Sequence, residues 1–215
     1  MISKINDEVY EVMKKYGQMM TSQAYPVGSA RMILQTEDGV FATKVDADLA
    51  NLTEDDIEKL WVNELPIHKP EMKAIVYSQT PACMQCLREA KPFPAMLDDM
   101  AQIFGPAAYI VDGREKNDSR GKSIFKALKD NVGCLVLKGI DKKGQGVGYT
   151  VTMGRNLYEA VVAMTVLEKS AEVFLLTEKL GGGKPIPRIE AKLMRMVYKK
   201  KYSKAESKVK TAEVK

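Results

Sequence analysis

Two apolar runs, residues 30–36 and 40–44, are separated only by Glu37-Asp38-Gly39. An acid-Gly turn between two such runs predicts a β-hairpin. Further strand-like runs follow at 73–78, 107–111, 134–138 and 147–153, and helical patterns lie between them. Residues 3–20 repeat Ile5, Val9, Val12, Met13, Tyr16 and Met20 at spacings of three and four. Thr53 caps a short helix whose first turn holds Glu54, Asp55 and Asp56, where the helix dipole favours acids. Thr80-Pro81 starts a third helix, 94–104 is a fourth and 119–129 a fifth. The strongest helix is 157–180. Its apolar face is Leu157, Ala160, Val161, Met164, Leu167, Ala171 and Phe174, and Gly181-Gly182-Gly183 ends it. A last helix follows Pro187. Hairpins mixed with helices predict a mixed, largely antiparallel sheet with helices on its faces, an α/β fold.

With 215 residues, 45% of them hydrophobic, the chain can build one sizeable core. No run approaches the roughly 18–20 apolar residues that span a bilayer. The first residues carry no apolar signal segment, and three cysteines fit a reducing compartment, so a cytoplasmic protein is expected. The net charge of +5 is uneven. Residues 192–215 hold nine Lys or Arg against Glu206 and Glu213, which leaves −2 for residues 1–191. We therefore expect a single domain over 1–196 and a flexible basic extension over 197–215. Tyr198 and Tyr202 are the only aromatics in that basic stretch, too few for a single-strand stacking surface, so nucleic acid is not the expected partner.

One histidine, His68, rules out any site built from two or three imidazoles of one chain. Gly121-Lys122-Ser123 looks like the end of a phosphate loop, but Lys116 stands where the first glycine must be. Cys83-Met84-Gln85-Cys86 at a helix start could lower a thiol pKa. The rest of the chain does not match a thioredoxin, and two buried small residues one turn apart are expected instead. The glycines of 144–148 lie between two strands with no helix to face a phosphate, so that stretch is expected to be a mobile connection.

The order of these pieces resembles the class II aldolase and adducin-head family, which includes fuculose- and ribulose-phosphate aldolases and epimerases. Gly28-Ser29-Ala30-Arg31 is similar to the family's Gly-Asn-Ile-Ser turn. Leu52-Thr53-Glu54-Asp55-Asp56 is similar to its Leu-Thr-x-Glu-Asp helix start, and Asn63-Glu64-Leu65-Pro66-Ile67-His68 to Ser-Glu-x-Pro-x-His. The stretch Pro70 to Pro81 resembles Pro-Asp-x-x-Ala-Val-Val-His-x-His-x-Pro, and Gly154 to Ala160 resembles Gly-x-x-Leu-x-x-Ala. The match covers about residues 5–181. It implies a three-layer α/β/α fold with a central mixed, largely antiparallel sheet.

The resemblance also implies a site, and the sequence departs from it there. Family members bind a divalent metal, usually zinc, through two histidines at one strand end and a third after a later strand, and a glutamate moves the proton. Here the paired positions are Tyr77 and Gln79, and 139–148 contains no histidine. Asp46-Ala47 stands near the family's Ser-Gly, where an acid would repel phosphate. Of the catalytic positions only Glu64 is kept. The resemblance thus implies Glu64 as the one catalytic residue, and Gly28, Ser29, Asn63, Tyr77 and Gln79 as substrate-binding positions. No metal ligand set and no cofactor is expected. The expected function is a non-catalytic or repurposed homologue that binds a small polar or sugar-like molecule or a protein. The alternative is an active lyase or isomerase on a sugar-phosphate-like substrate, with Glu64 as acid/base and Tyr77, Gln79, Lys138 or Arg114 replacing the metal as electrophile. A metal site rebuilt from Glu64, His68, Cys134 and Asp141 would be the sign of such an enzyme. The family further implies a homo-oligomer, commonly a tetramer with its site between neighbours.

Overall fold

A computed structural model describes residues 6–62, 65, 71–113, 124, 127–128 and 131–213. Helix α1 (Asp7–Thr21) opens at Asn6, whose side chain accepts the Glu8 N–H at 3.0 Å. Strands β1 (Arg31–Thr36) and β2 (Gly39–Thr43) form the expected hairpin. After it come β3 (Ile57–Leu60), β4 (Ala74–Ser78), α2 (Pro81–Arg88) and the two-residue strand β5 (Phe93–Pro94). Next are α3 (Asp98–Ile103), β6 (Ala107–Ala108), β7 (Ile110–Asp112), β8 (Gly133–Ile140) and β9 (Gly146–Gly154). The long α4 (Leu157–Lys179) and α5 (Arg188–Glu213) close the chain. The backbone of α5 is thus helical well past position 197.

Seven strands form one sheet in the order β3-β2-β1-β4-β9-β8-β7, and β5 pairs with β6 separately. Among these pairs only β7 and β8 are parallel. The sheet is therefore mixed and largely antiparallel, as the hairpin reading requires. Side chains alternate between two apolar faces, because successive strand residues point to opposite sides. On β4, Ala74 and Val76 join α1 and the start of α4, whereas Ile75 and Tyr77 join the opposite cluster with Val136, Val151 and Leu128. Helices α1 to α4 pack on the first face and the helical residues Ile124, Ala127 and Leu128 on the second, which gives the three-layer α/β/α arrangement. Fully burying each such Val, Ile or Leu contributes about 1.5–3 kcal/mol.

The structure departs from the sequence reading in four places. The helix expected over 94–104 is confined to Asp98–Ile103, because Phe93–Pro94 pair as β5 with β6. The strand expected over 107–111 splits into β6 and β7, which belong to different sheets. Thr53 does cap a turn, donating its N–H and hydroxyl to Asp56 Oδ2 at 2.9 and 2.6 Å. The turn is a single 3-10 turn, Glu54–Asp56, rather than a helix. The chain leaves it at once as β3, because Ile57–Leu60 find partners in Val40–Thr43. The expected mobile connection at 144–148 is also ordered. Asp141 Oδ1 accepts the N–H groups of Lys143 and Gln145 at 2.8 and 2.9 Å, which ties the turn, and Gly146–Gly148 already belong to β9. Gly148 is a packing requirement: a Cβ there would collide with the Val136 carbonyl oxygen and lie 2.8 Å from Leu87 Cδ2.

Helix α4 matches expectation closely. Asn156 caps it by accepting the Glu159 N–H at 2.9 Å, and Gly181 and Gly182, both at φ +97°, stop it. Leu157, Ala160, Val161, Met164, Leu167 and Ala171 are buried, with Phe174 half-buried beside Phe93.

Candidate functional site

The N-terminal end of β1 and the C-terminal end of β4 lie side by side, with Arg31 opposite Tyr77. On the other flank of β4, Ser78 stands opposite Thr150 of β9. These ladders bring the ends of β1, β4 and β9 to a cleft of about 540 Å³. Ser29, Tyr77, Gln79, Lys138 and Tyr149 line it together with Arg31. Val45, Leu60 and Val62 supply its apolar rim.

Each polar side chain is held differently. Gln79 is held at two points: its backbone carbonyl oxygen accepts the Gly28 N–H at 2.7 Å, and its side-chain Nε2 donates to the Gly148 carbonyl at 2.8 Å. A Cβ on Gly28 would come 3.1 Å from that same Gln79 oxygen, so a glycine allows the turn to press against the end of β4. Tyr77 and Tyr149 meet edge to face with ring centroids 5.6 Å apart. Burial pushes the Tyr77 phenol up to about 12, with the neighbouring Tyr149 adding to it and Arg31 opposing it. Burial also raises the Tyr149 phenol. Arg31 is committed elsewhere, donating Nε to the Thr43 carbonyl at 2.9 Å and pairing with Glu58 at 2.6 Å. Lys138 is exposed, its Nζ 5.3 Å from the centre of the Tyr149 ring.

Of the site positions expected from sequence, Ser29, Tyr77 and Gln79 line this one cleft, and Gly28 supports it from behind. Asn63, Glu64, His68, Arg114 and the Gly121-Lys122-Ser123 segment lie outside the described residues. Tyr149 was not an expected site residue. Its only sequence signal is its place in an alternating strand. That it shares a face with Tyr77 depends on the β4–β9 register, which no local pattern states.

The family's zinc can be tested against these donors. Zinc takes thiolate, imidazole or carboxylate ligands. Here the lining donors are two phenols that burial keeps protonated at neutral pH, a serine hydroxyl, an ammonium and an amide already bonded through its nitrogen. Among the described residues no three His, Cys, Asp or Glu side chains come together. Cys134 is fully buried and burial pushes its thiol up to about 12, so it is not a ready thiolate. The described donor set does not fit zinc. What it can do is donate hydrogen bonds to hydroxyl or carboxyl oxygens, with one cation at the mouth.

A second polar cluster lies on the other face of the sheet just past β4. Glu168 of α4 is only 3% exposed, and its carboxylate accepts the N–H groups of Ala82 and Cys83 at 2.7 and 2.9 Å. Those are two of the N–H groups that the first turn of α2 leaves without a helical partner. Cys83 and Cys86 are themselves fully buried, as expected for small core residues. Burial drives the Cys83 thiol well above its usual value and Cys86 up to about 12, the opposite of a reactive redox pair.

Among the described residues, no helix is long and apolar enough to cross a membrane. A comparison with curated protein sequences finds no match. Solved structures share the fold. An L-fuculose 1-phosphate aldolase superposes with a TM-score of 0.74 at 16% identity, covering 91% of this chain and 98% of that one. YgbL from Escherichia coli gives 0.67 at 17% identity, with 87% and 98% covered. The L-fuculose-1-phosphate aldolase of Thermus thermophilus gives 0.64 at 16%, with 85% and 100% covered. The model of the Class II Aldolase and Adducin N-terminal domain matches residues 27–175, the sheet together with most of α4, and the chain belongs to that family.

Proposed function

We propose that this chain is a metal-independent binding homologue of the sugar-phosphate aldolases, and that the β1/β4/β9 cleft takes a small polyhydroxylated or carboxylated molecule. The observation that carries this reading is the Tyr77–Tyr149 pair beside Gln79, where the family has metal-binding histidines. A phenol held near 12 stays protonated at neutral pH, so Tyr77 donates a hydrogen bond rather than binding a metal or accepting a proton. Tyr149 and Ser29 offer further hydroxyls. Lys138 supplies one positive charge, which suits a carboxylate or a single phosphate. The clamp on Gln79 fixes its amide before any ligand arrives, which lowers the ordering cost of binding. A homo-oligomer, a tetramer as in the family's usual form, fits this reading. Trp61, Val45 and Val62 are exposed at or next to the cleft rim, and a second copy would cover them.

The test is titration calorimetry on tag-free protein with L-fuculose 1-phosphate and with unphosphorylated L-fuculose, followed by product analysis. Saturable binding that survives a chelator and yields no cleavage product is the expected result. Tyr77→Phe should weaken it by about tenfold, the worth of one good hydrogen bond. Cleavage that needs added zinc overturns the reading. Cleavage without metal that is lost in Glu64→Gln establishes the lyase alternative instead. If neither probe binds, the proposed ligand class is wrong.

A further inference from the structure

A larger cleft, about 890 Å³, lies at the β7 edge of the sheet, between α5 and β7. Its helical wall carries Arg188, Lys192, Arg195 and Lys199. Spacings of four, three and four put these cations on one face of α5, in a row about 16 Å long at 1.5 Å per residue. Each neighbouring pair in that row is a like-charge pair at helical contact distance, an arrangement that by itself destabilises a helix.

Only one of the four has a structural duty that accounts for it. Arg195 is buried and donates to the Ile103 carbonyl, closing the end of α3, with its stem packed against Gly105. Arg188, Lys192 and Lys199 are exposed or half-exposed. Among the described residues no carboxylate forms an ion pair with any of them. Asp112 is the one acid among the described lining residues. The facing wall is apolar and aromatic, with Phe104 buried at its base and the half-exposed Tyr109 ring at its mouth. Asn131 does not compete for a ligand, because its Nδ2 donates to the Ala107 carbonyl and its Oδ1 accepts the Val132 N–H at 2.9 Å.

We propose that this α5–β7 cleft binds a small polyanion, an organic or inorganic polyphosphate, whose charges lie along Arg188, Lys192 and Lys199. Three exposed cations with no ion-pair partner among the described residues, Arg188, Lys192 and Lys199, gain most from a ligand carrying several negative charges in line. A cleft of this size is within the range of small-molecule sites, roughly 300–1,000 Å³. One exposed tyrosine is too few for the stacking platform of a nucleic-acid strand. The site is separate from the Tyr77 cleft and does not depend on how that cleft functions.

The probe is inorganic tripolyphosphate, titrated into the full-length, tag-free chain at low and at moderate salt. The expected result is one saturable site per chain that weakens as salt rises. The paired variant Lys192→Glu/Lys199→Glu should lose at least about tenfold in affinity, since charge-assisted phosphate contacts are strong. Lys200→Glu/Lys201→Glu makes the same charge change on α5 outside the cleft lining, and should stay within about twofold if position rather than net charge governs binding. Arg188→Gln/Lys192→Gln is a milder exposed pair that keeps the test valid if the charge reversals disturb folding, and it too should weaken binding. Equal loss in the 192/199 and 200/201 variants would overturn the proposal in favour of diffuse attraction to a basic helix. No binding by the wild type, or binding of single-stranded RNA or anionic vesicles without tripolyphosphate, would also overturn it.

Discussion

The two polar clusters just beyond β4 answer the same physical problem in opposite ways. On one face, Glu168 brings a carboxylate into the core, and the first N–H groups of α2 satisfy it there. On the other face, Tyr77, Tyr149 and Lys138 line an open cleft, and among the described residues none of their polar tips is locked into the fold in the same manner. The first cluster is closed and structural. The second keeps hydroxyl and ammonium groups available. A buried charge whose acceptor capacity is filled by backbone N–H groups thus differs from polar groups left facing a cleft.

That contrast can be broken most forcefully at Glu168. Glu168→Ala leaves two buried N–H groups without an acceptor and should cost about 3 kcal/mol in urea denaturation. Stability equal to wild type would mean that the carboxylate is not structural. Next in size is Gly148→Ala, whose new methyl would press on the Val136 carbonyl. Overpacking of this kind costs about 2 kcal/mol and should also loosen the Gln79 clamp, lowering affinity in the Tyr77 cleft.

A smaller effect separates the clusters by pH. The Tyr77 phenol titrates near 10 in the unfolded chain and near 12 in the folded one. As pH rises above 10 the unfolded state loses its proton first, so stability falls through that window. The loss is at most about 1.4 kcal/mol per pH unit for this group. Tyr77→Phe should flatten the decline between pH 10 and 12 and leave stability at pH 7 nearly unchanged. An unaltered alkaline slope would contradict the burial assigned to that phenol. The smallest stability change belongs to Lys138→Ala, under about 0.5 kcal/mol for an exposed side chain, although ligand binding should still weaken. A large loss of stability there would make Lys138 a structural residue after all.

How much of this was legible depended on how local the cause was. The β1–β2 hairpin, strand β4 and the capped, glycine-terminated α4 each carry their signal within a few residues, and each formed as expected. The chain's order of motifs was enough to indicate the family. Strand β3 was missed because an edge strand takes its conformation from a ladder partner, here β2, and its own residues favour the preceding turn. The glycines at 146 and 148 suggested a mobile connection, yet the close approach of Leu87 and Val136 requires them. Tyr77 and Gln79 were visible as departures from the histidine pattern. Tyr149 joins the candidate site only through strand register, and the charge row of α5 faces a cleft only because the chain's long-range folding sets it against β7.

Under the proposed function, Tyr77 and Gln79 stand in place of a metal centre and line a binding cleft. Metal content by mass spectrometry on tag-free, unchelated protein tests it most directly. Zinc and manganese far below one ion per chain are the expected result. About one tightly bound ion per chain, lost with activity on chelation, would contradict it and would require a new ligand set elsewhere in the chain.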